Sequence, residues 1–274
     1  MQVSGLAELA RPVRDLDRAR RFYVEALGFA EYLPVRPFDT LLAVSLARAW
    51  KLLARPRLQR LKLGSQTLLL VGCEQLQRPP DGGGEDVRFQ HIAVVTHDMA
   101  EAWQRVAPHA SPISRGGPQR LPAGSGGVTA VKFRDPDGHP VELLAFPPDA
   151  LPARWASGAT GIDHSAISVS DAGRSIEFYQ RLGLQTTARQ TNQGDEQARL
   201  DGLAKPVVEV VAMTPPRATP HLELLAYAAG ATAPARPDQA PGPRTTTIWS
   251  TDHPAPFLLT DPDGHTHFLL PSDT

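Results

Sequence analysis

Residues 133–144 read FRDPDGHPVELL, and residues 259–270 repeat this pattern as LTDPDGHTHFLL. In each copy, an Asp-Pro-Asp-Gly stretch separates two apolar runs. Proline fixes φ at the second position of a turn and glycine supplies the positive φ that follows, so the motif predicts a tight turn. Both copies therefore predict a β-hairpin, with His139 and His265 exposed at the start of the returning strands.

A second repeat joins residues 5–29 (GLAELARPVRDLDRARRFYVEALGF) to residues 161–184 (GIDHSAISVSDAGRSIEFYQRLGL). Asp171 follows Asp15 by 156 positions, and the Phe-Tyr pair of each segment keeps the same offset. Each segment predicts an alternating strand, then an amphipathic helix that begins near the aspartate and ends at a glycine. The aromatic pair in the last helical turns is expected to pack in the core.

A third copy of the strand–helix start lies at residues 87–106 (VRFQHIAVVTHDMAEAWQRV). Together with a shortened copy at the end of the chain, it gives four related units. The hairpin copies are 126 positions apart, thirty fewer than the strand–helix copies, and the loss falls between residues 247 and 261. The fourth unit thus keeps a short strand, TTTIWS, and the final hairpin without room for a helix. We predict an α+β fold of repeated βαβββ units, the fourth truncated.

The repeats also predict how the chain is divided. Two units form an N-terminal domain over residues 1–147, residues 148–159 are a Pro/Ala-rich linker, and residues 160–274 form a C-terminal domain. Residues 78–86 and 228–243 are rich in Gly, Pro and Ala and are expected to be solvated connectors.

Composition excludes several classes of partner. The 274 residues carry 28 basic and 29 acidic side chains, and a net charge of −1 offers no electrostatic attraction for nucleic acid or an anionic membrane. No apolar run approaches the roughly 20 residues of a membrane helix, and the N-terminus does not resemble a signal peptide. A single cysteine, Cys73, fits a reducing compartment. We therefore expect a cytoplasmic protein, a monomer or homodimer, whose partner is a small-molecule substrate.

Together, the first strand, the DLDRARRFY-type helix and the DPDGHPVELL hairpin resemble the vicinal oxygen chelate superfamily. That superfamily includes glyoxalase I, extradiol dioxygenases, fosfomycin-resistance enzymes and bleomycin-binding proteins. The resemblance implies that paired units form half-open β-barrels, here two. It also implies that metal ligands come from the first strand of each unit and from the last strand after the hairpin.

Carried over by position, the resemblance assigns three metal ligands to the N-terminal half: Glu8, His91 and Glu142. A fourth ligand, used by glyoxalase I, would fall in QTLLLVG at residues 66–72, where Leu68, Leu69 and Leu70 leave only apolar candidates. The expected site therefore has three protein ligands and lies in the N-terminal half.

The C-terminal half matches the pattern less well. His164 and Glu223 hold the first-strand and last-strand positions of the third unit, whereas Thr247 and Phe268 replace the other two ligands. Because two groups from one unit do not make an ordinary metal site, we interpret His164 and Glu223 as a second site or a relic with a binding or packing role.

The residue types support a metal independently of the resemblance. Two carboxylates and one imidazole suit a divalent transition metal (Fe, Mn, Ni, Co or Zn) and leave positions open for substrate and water. Two glutamates facing into a barrel are costly unless a cation or a proton offsets their charge. Taken singly, Glu8 also fits a solvated strand residue, His91 a core histidine, and Glu142 an ion-pair partner.

These residues lead to three hypotheses about function. The first is a glyoxalase-like isomerase or lyase whose substrate chelates the metal through neighbouring oxygens, with Glu142, or else Glu8, moving the proton. The second is an extradiol-type dioxygenase of a catechol-like compound; Glu8 in place of a His argues against it, because the usual ligand set there is two His and one carboxylate. The third is a metal-free protein that binds a small molecule such as an antibiotic.

Overall fold

The computed structural model describes residues 2–33, 36–74, 82–230 and 244–272, and it contains the four predicted units. The first unit comprises β1 (Val3–Val13), α1 (Leu16–Arg21) with a π-helical continuation (Phe22–Ala26), β2 (Ala30–Tyr32), α2 (Asp39–Ala49), β3 (Leu58–Leu63) and β4 (Gln66–Gly72). The second comprises β5 (Gln90–Val95), α3 (Met99–Val106), β6 (Ser111–Pro112), β7 (Gln119–Arg120), β8 (Thr129–Arg134) and β9 (Pro140–Ala145).

The third unit has the same plan and the fourth is shorter. The third comprises β10 (Ile162–Ser168), α4 (Ala172–Arg181), β11 (Gln185–Gln193), α5 (Asp195–Asp201), β12 (Val207–Thr214) and β13 (His221–Tyr227). The fourth comprises β14 (Thr246–Thr251), β15 (Phe257–Thr260) and β16 (Thr266–Pro271), with no helix among its described residues, as predicted. Part of the first predicted connector (78–81) and most of the second (231–243) lie outside the described residues.

Aspartate caps fix the three predicted helix starts. The Asp15, Asp98 and Asp171 side chains accept hydrogen bonds from the backbone N–H groups three residues ahead. Such a cap satisfies a backbone donor that the first helical turn leaves without a partner. No helix among the described residues is long and apolar enough to cross a membrane.

The strands form two mixed sheets that each take units from both halves of the chain. The seven-stranded sheet has the order β15-β16-β14-β1-β4-β3-β2, and the larger one runs β11-β12-β13-β10-β5-β9-β8-β6 with β7 beside β8. The first unit therefore pairs with the fourth, and the second with the third. The division at residues 148–159 stays a prediction about the repeats, because strand pairing crosses it.

Within each half, the units are joined by contacts between helix and hairpin. The buried Tyr23 hydroxyl donates to Asp135 of the first DPDG turn at 2.6 Å, and Tyr179 donates to Asp261 of the second at 2.8 Å. The expected core position of these tyrosines is confirmed, and both are fully buried. Each hydroxyl also ties a helix to the hairpin of the next unit.

The two histidines after the turns are buried, so the expectation that they are exposed was wrong. The ring Nε2 of His139 donates to the Pro12 carbonyl at 2.6 Å, and that of His265 donates to the Ser168 carbonyl at 2.9 Å. Each histidine thus links a hairpin to the first strand of the preceding unit. The partner carbonyl is remote in sequence, which is why turn chemistry alone did not predict the contact.

Tyr23→Phe is expected to lower the free energy of unfolding by about 1–2 kcal/mol, since it removes a buried hydroxyl that accepts from Arg11 and donates to Asp135. Urea denaturation of the two proteins measures the loss. The matched control is Tyr32→Phe on strand β2, expected to stay within about 0.5 kcal/mol. Equal losses in the two variants would show that the hydroxyl bridge contributes nothing.

Candidate active site

Four predicted ligands meet where the second and third units pair. Strands β5 and β10 are antiparallel neighbours, with His91 opposite Ala166 and His164 opposite Ala93. On the outer strands, Glu142 also lies opposite Ala93 and Glu223 opposite Ala166. Because directly paired and alternate residues share one face of a sheet, all four side chains project to the same side. The small Ala93 and Ala166 leave space between them.

Distances within this group are short. The ligand atoms of His91, Glu142 and His164 all lie within 4.8 Å of one another. His91 Nε2 is 3.0 Å from Glu142 Oε2, and His164 Nε2 is 3.5 Å from Glu223 Oε2. All four side chains line a cavity of about 200 Å³ between the two units.

Asp163 holds His164 in place from behind. It is the extra residue of a β-bulge in β10, and such bulges redirect side chains beside functional sites. His164 Nδ1 donates to Asp163 at 3.1 Å, while Trp155 and Arg154 donate to the other carboxylate oxygen at 2.8 and 2.9 Å. In a metal-binding histidine, the ring nitrogen that does not bind the metal usually donates to a carboxylate, which fixes the nitrogen that faces the metal.

Burial and charge shift the pKa values of this group in different directions. Burial lowers the pKa of His91. Burial also opposes protonation of His164, but Glu223 and Asp163 outweigh it and raise its pKa to about 9. Despite burial, the positive charge of His164 holds the pKa of Glu223 at about 2, and Lys132 with His91 lowers that of Glu142. Glu142 and Glu223 are therefore ionised, beside the ammonium of Lys132 and a readily protonated His164.

The chemistry of these donors fits a divalent metal. Among the described residues, His91 Nδ1 has no hydrogen-bond partner although the ring is buried, while Nε2 faces Glu142. An unpartnered buried imidazole nitrogen beside carboxylates is a typical metal-ligand environment. Two imidazoles and two carboxylates suit Fe, Mn, Co, Ni or Zn.

The structure does not bring Glu8 to His91 and Glu142, so that part of the predicted ligand set was wrong. Glu8 lies on β1 in the other sheet, because the first unit pairs with the fourth and not with the second. Its carboxylate is buried between two guanidinium groups, Arg36 at 2.6 Å and Arg60 at 2.8 Å. Arginines thus occupy the place around Glu8 where the prediction put a metal.

An apolar core fills the corresponding face of the Glu8 sheet. Leu69 on β4 is the counterpart of Glu223, since each lies opposite an equivalent alanine, Ala10 or Ala166. Helix α2 packs on this face, and the buried cluster consists of Ala10, Leu42, Leu46, Trp50, Leu69, Val71, Cys73, Ile248 and Phe268. Leu69, one of the three leucines that offered no fourth ligand in the sequence, is part of this packing.

His164 and Glu223 belong with His91 and Glu142, which does not fit the interpretation of a separate or relic site. The expectation of a metal confined to the N-terminal half stays a prediction, but this cluster of candidate ligands draws two residues from each half. Sequence reasoning further missed Lys132, Asp163 and helix α5. One signal was available for Lys132, a charged residue inside the apolar strand VTAVKFR.

The cavity around the cluster is mainly apolar. Its hydrophobic lining residues are Leu121, Val128, Leu144 and Phe146 from the second unit, and Leu200, Val208, Val210 and Leu225 from the third. Gln190, Asn192 and Gln197 add neutral polar groups, and Lys132 adds a cation. Such a lining suits a small molecule with an apolar body and a few oxygens.

Comparison with known proteins identifies the family. The model of the Glyoxalase/Bleomycin resistance protein/Dioxygenase superfamily matches residues 5–143 and 161–273, so the chain belongs to that superfamily. Glyoxalase I from Zea mays has a similar fold, with a TM-score of 0.60 and 15% identity over 97% of this chain and 92% of that one. A proposed dioxygenase from Bacillus subtilis gives 0.57 and 13%, covering 100% and 86%. No curated protein matched the sequence.

Proposed function

We propose that this protein is a metal-dependent enzyme that binds a divalent transition metal through His91, Glu142, His164 and Glu223. Its reaction is a glyoxalase-like isomerisation or lyase step on a small substrate that chelates the metal through neighbouring oxygens. The observation that carries the proposal is the convergence of three buried ligand atoms within 4.8 Å, with Glu223 beside His164.

The two carboxylates have distinct places in this proposal. When bound, the metal acts as a Lewis acid that favours negative charge on a substrate oxygen. Glu142 comes from the second unit and Glu223 from the third, so they approach the cavity from opposite sides of the β5–β10 pair. Each can take a proton from a substrate carbon and return it to a neighbouring atom. Glu223 thus replaces Glu8 as the competitor of Glu142.

One observation favours a dioxygenase as the second candidate. Without Glu223, the tight group is His91, His164 and Glu142, the two-His, one-carboxylate set of non-haem iron oxygenases. That set leaves more positions for a catechol and oxygen together than a four-ligand set does. The role of Glu223 therefore separates the two candidates.

The test begins with elemental analysis of protein purified without added metal. Metal-stripped protein is then loaded separately with Mn²⁺, Fe²⁺, Co²⁺, Ni²⁺ or Zn²⁺. Each form is assayed for isomerisation of the adduct between an α-ketoaldehyde and a thiol, and for oxygen consumption with catechol. We expect about one ion per chain and isomerisation that Glu223→Gln abolishes.

Other results would redirect the proposal. Oxygen consumption restricted to the Fe²⁺ form, and retained in Glu223→Gln, would establish the dioxygenase instead. A wild-type protein that takes up none of the five ions would overturn both enzymatic candidates. Metal-free binding of a small molecule in the same cavity would then be the function to test.

A further inference from the structure

A buried lysine faces the candidate metal ligands from the neighbouring strand. Lys132 on β8 lies directly opposite Glu142 on β9, and its side chain lines the cavity. The residue is 5% exposed, and Nζ is 3.9 Å from Glu142 Oε2, beyond hydrogen-bond distance. The ammonium group therefore lies beside the candidate metal ligands but forms no hydrogen bond with Glu142.

A network from the third unit fixes the position of this ammonium. Lys132 Nζ donates to Asp201 Oδ1 at 2.8 Å, at the end of helix α5. The other carboxylate oxygen of Asp201 accepts from Gln197 at 2.7 Å and from the Tyr227 hydroxyl at 3.1 Å. With both oxygens of Asp201 engaged, the lysine is held in one place at the cavity wall.

The network leaves hydrogen-bonding capacity on the lysine. An ammonium group has three N–H donors, and within the described ranges Lys132 makes one hydrogen bond, to Asp201. As a purely structural pair, Lys132 and Asp201 would be a poor choice, because two packed apolar residues usually stabilise a buried position at least as well. An N–H group without a partner, on a cation held at the cavity wall, instead suits a hydrogen bond to a negatively charged ligand atom.

We propose that Lys132 is an anion-binding residue of the cavity, and that its ammonium group receives a negatively charged oxygen of the chelating substrate. This inference rests on the proposed function and specifies its substrate. The ligand is a compact molecule that binds with an ionised oxygen, such as an enolate or a catecholate, next to Glu142. Its body is apolar and small, since the cavity of about 200 Å³ lies below the 300–1,000 Å³ typical of sites for drug-sized ligands.

The experiment uses the full chain loaded with Zn²⁺ and the chelator 4-nitrocatechol, whose visible absorbance reports how many protons it has lost. Titrations compare the wild type with Lys132→Met and Lys132→Arg. We expect Lys132→Met to weaken 4-nitrocatechol binding about tenfold or more, the effect of losing one charge-assisted hydrogen bond, and to lower its ionised fraction. Lys132→Arg keeps the cation, so it should bind within about threefold of the wild type.

Each other outcome has a defined meaning. Unchanged chelator affinity and spectrum in Lys132→Met would overturn the inference and make the lysine a structural ion-pair partner. Loss of Zn²⁺ from Lys132→Met would also overturn it, because the residue would then support the metal. If the wild type takes up no Zn²⁺, the proposed function itself fails. Should Lys132→Met not fold, Lys132→Met/Asp201→Asn removes both buried charges and is subject to the same criteria.

Discussion

Replacing His164 by alanine is expected to remove the metal from the protein, lowering its content from about one ion per chain to under roughly a tenth. Among the described residues, His164 is shared by both groups of candidate ligands, His91–Glu142–His164 and Asp163–His164–His221, so its loss disrupts each of them. His91→Ala should have the same effect. Elemental analysis after gel filtration, in buffer without chelator, measures the loss.

Two control variants make this prediction specific to the paired second and third units. His109→Ala removes an exposed histidine, and Glu8→Ala removes a carboxylate that sequence reasoning placed in the site. Both should keep the wild-type metal content. Retention of metal in His164→Ala together with its loss in Glu8→Ala would restore the site to the N-terminal half and contradict the pairing of units described above.

Local features of the fold could be predicted because they depend on a few neighbouring residues. The Asp15 cap needs only the N–H three residues ahead, and the DPDG turns need only proline and glycine. The burial of His139 has a different origin, since its partner is the Pro12 carbonyl of another unit. Contacts of that kind depend on how units pack, which turn chemistry does not specify.

For the candidate site, too, the sequence predicts the position of each residue within its unit but not which units pair. Repeat positions place Glu8, His91 and His164 at equivalent points of first strands, and Glu142 and Glu223 at equivalent points of last strands. Which of them meet depends on strand pairing between units, a long-range property that repeat offsets do not contain. A sequence-level clue existed: the inner two units supply a full set of two His and two Glu, whereas the outer two retain Glu8 alone.

Glu8→Ala is expected to lower the free energy of unfolding by about 3 kcal/mol while leaving the metal content unchanged. The Glu8 side chain is 1% exposed and binds Arg36 and Arg60, and the Arg60 side chain is itself 4% exposed. Removing the carboxylate leaves excess positive charge in a buried place, where desolvation is not offset. Asp39, which contacts Arg60 at 2.6 Å, compensates only part of that charge.

The matched control is Glu31→Ala, which removes a glutamate paired with Arg20 at 2.9 Å on the surface. That change should cost less than about 1 kcal/mol, because water and salt screen an exposed pair. Urea denaturation of both variants, in stripped and metal-loaded form, gives the comparison. The difference between Glu8→Ala and wild type should be equal in the two forms, since Glu8 belongs to the sheet of the first and fourth units. A larger difference in the metal-loaded form would show that Glu8 does contribute to the metal site.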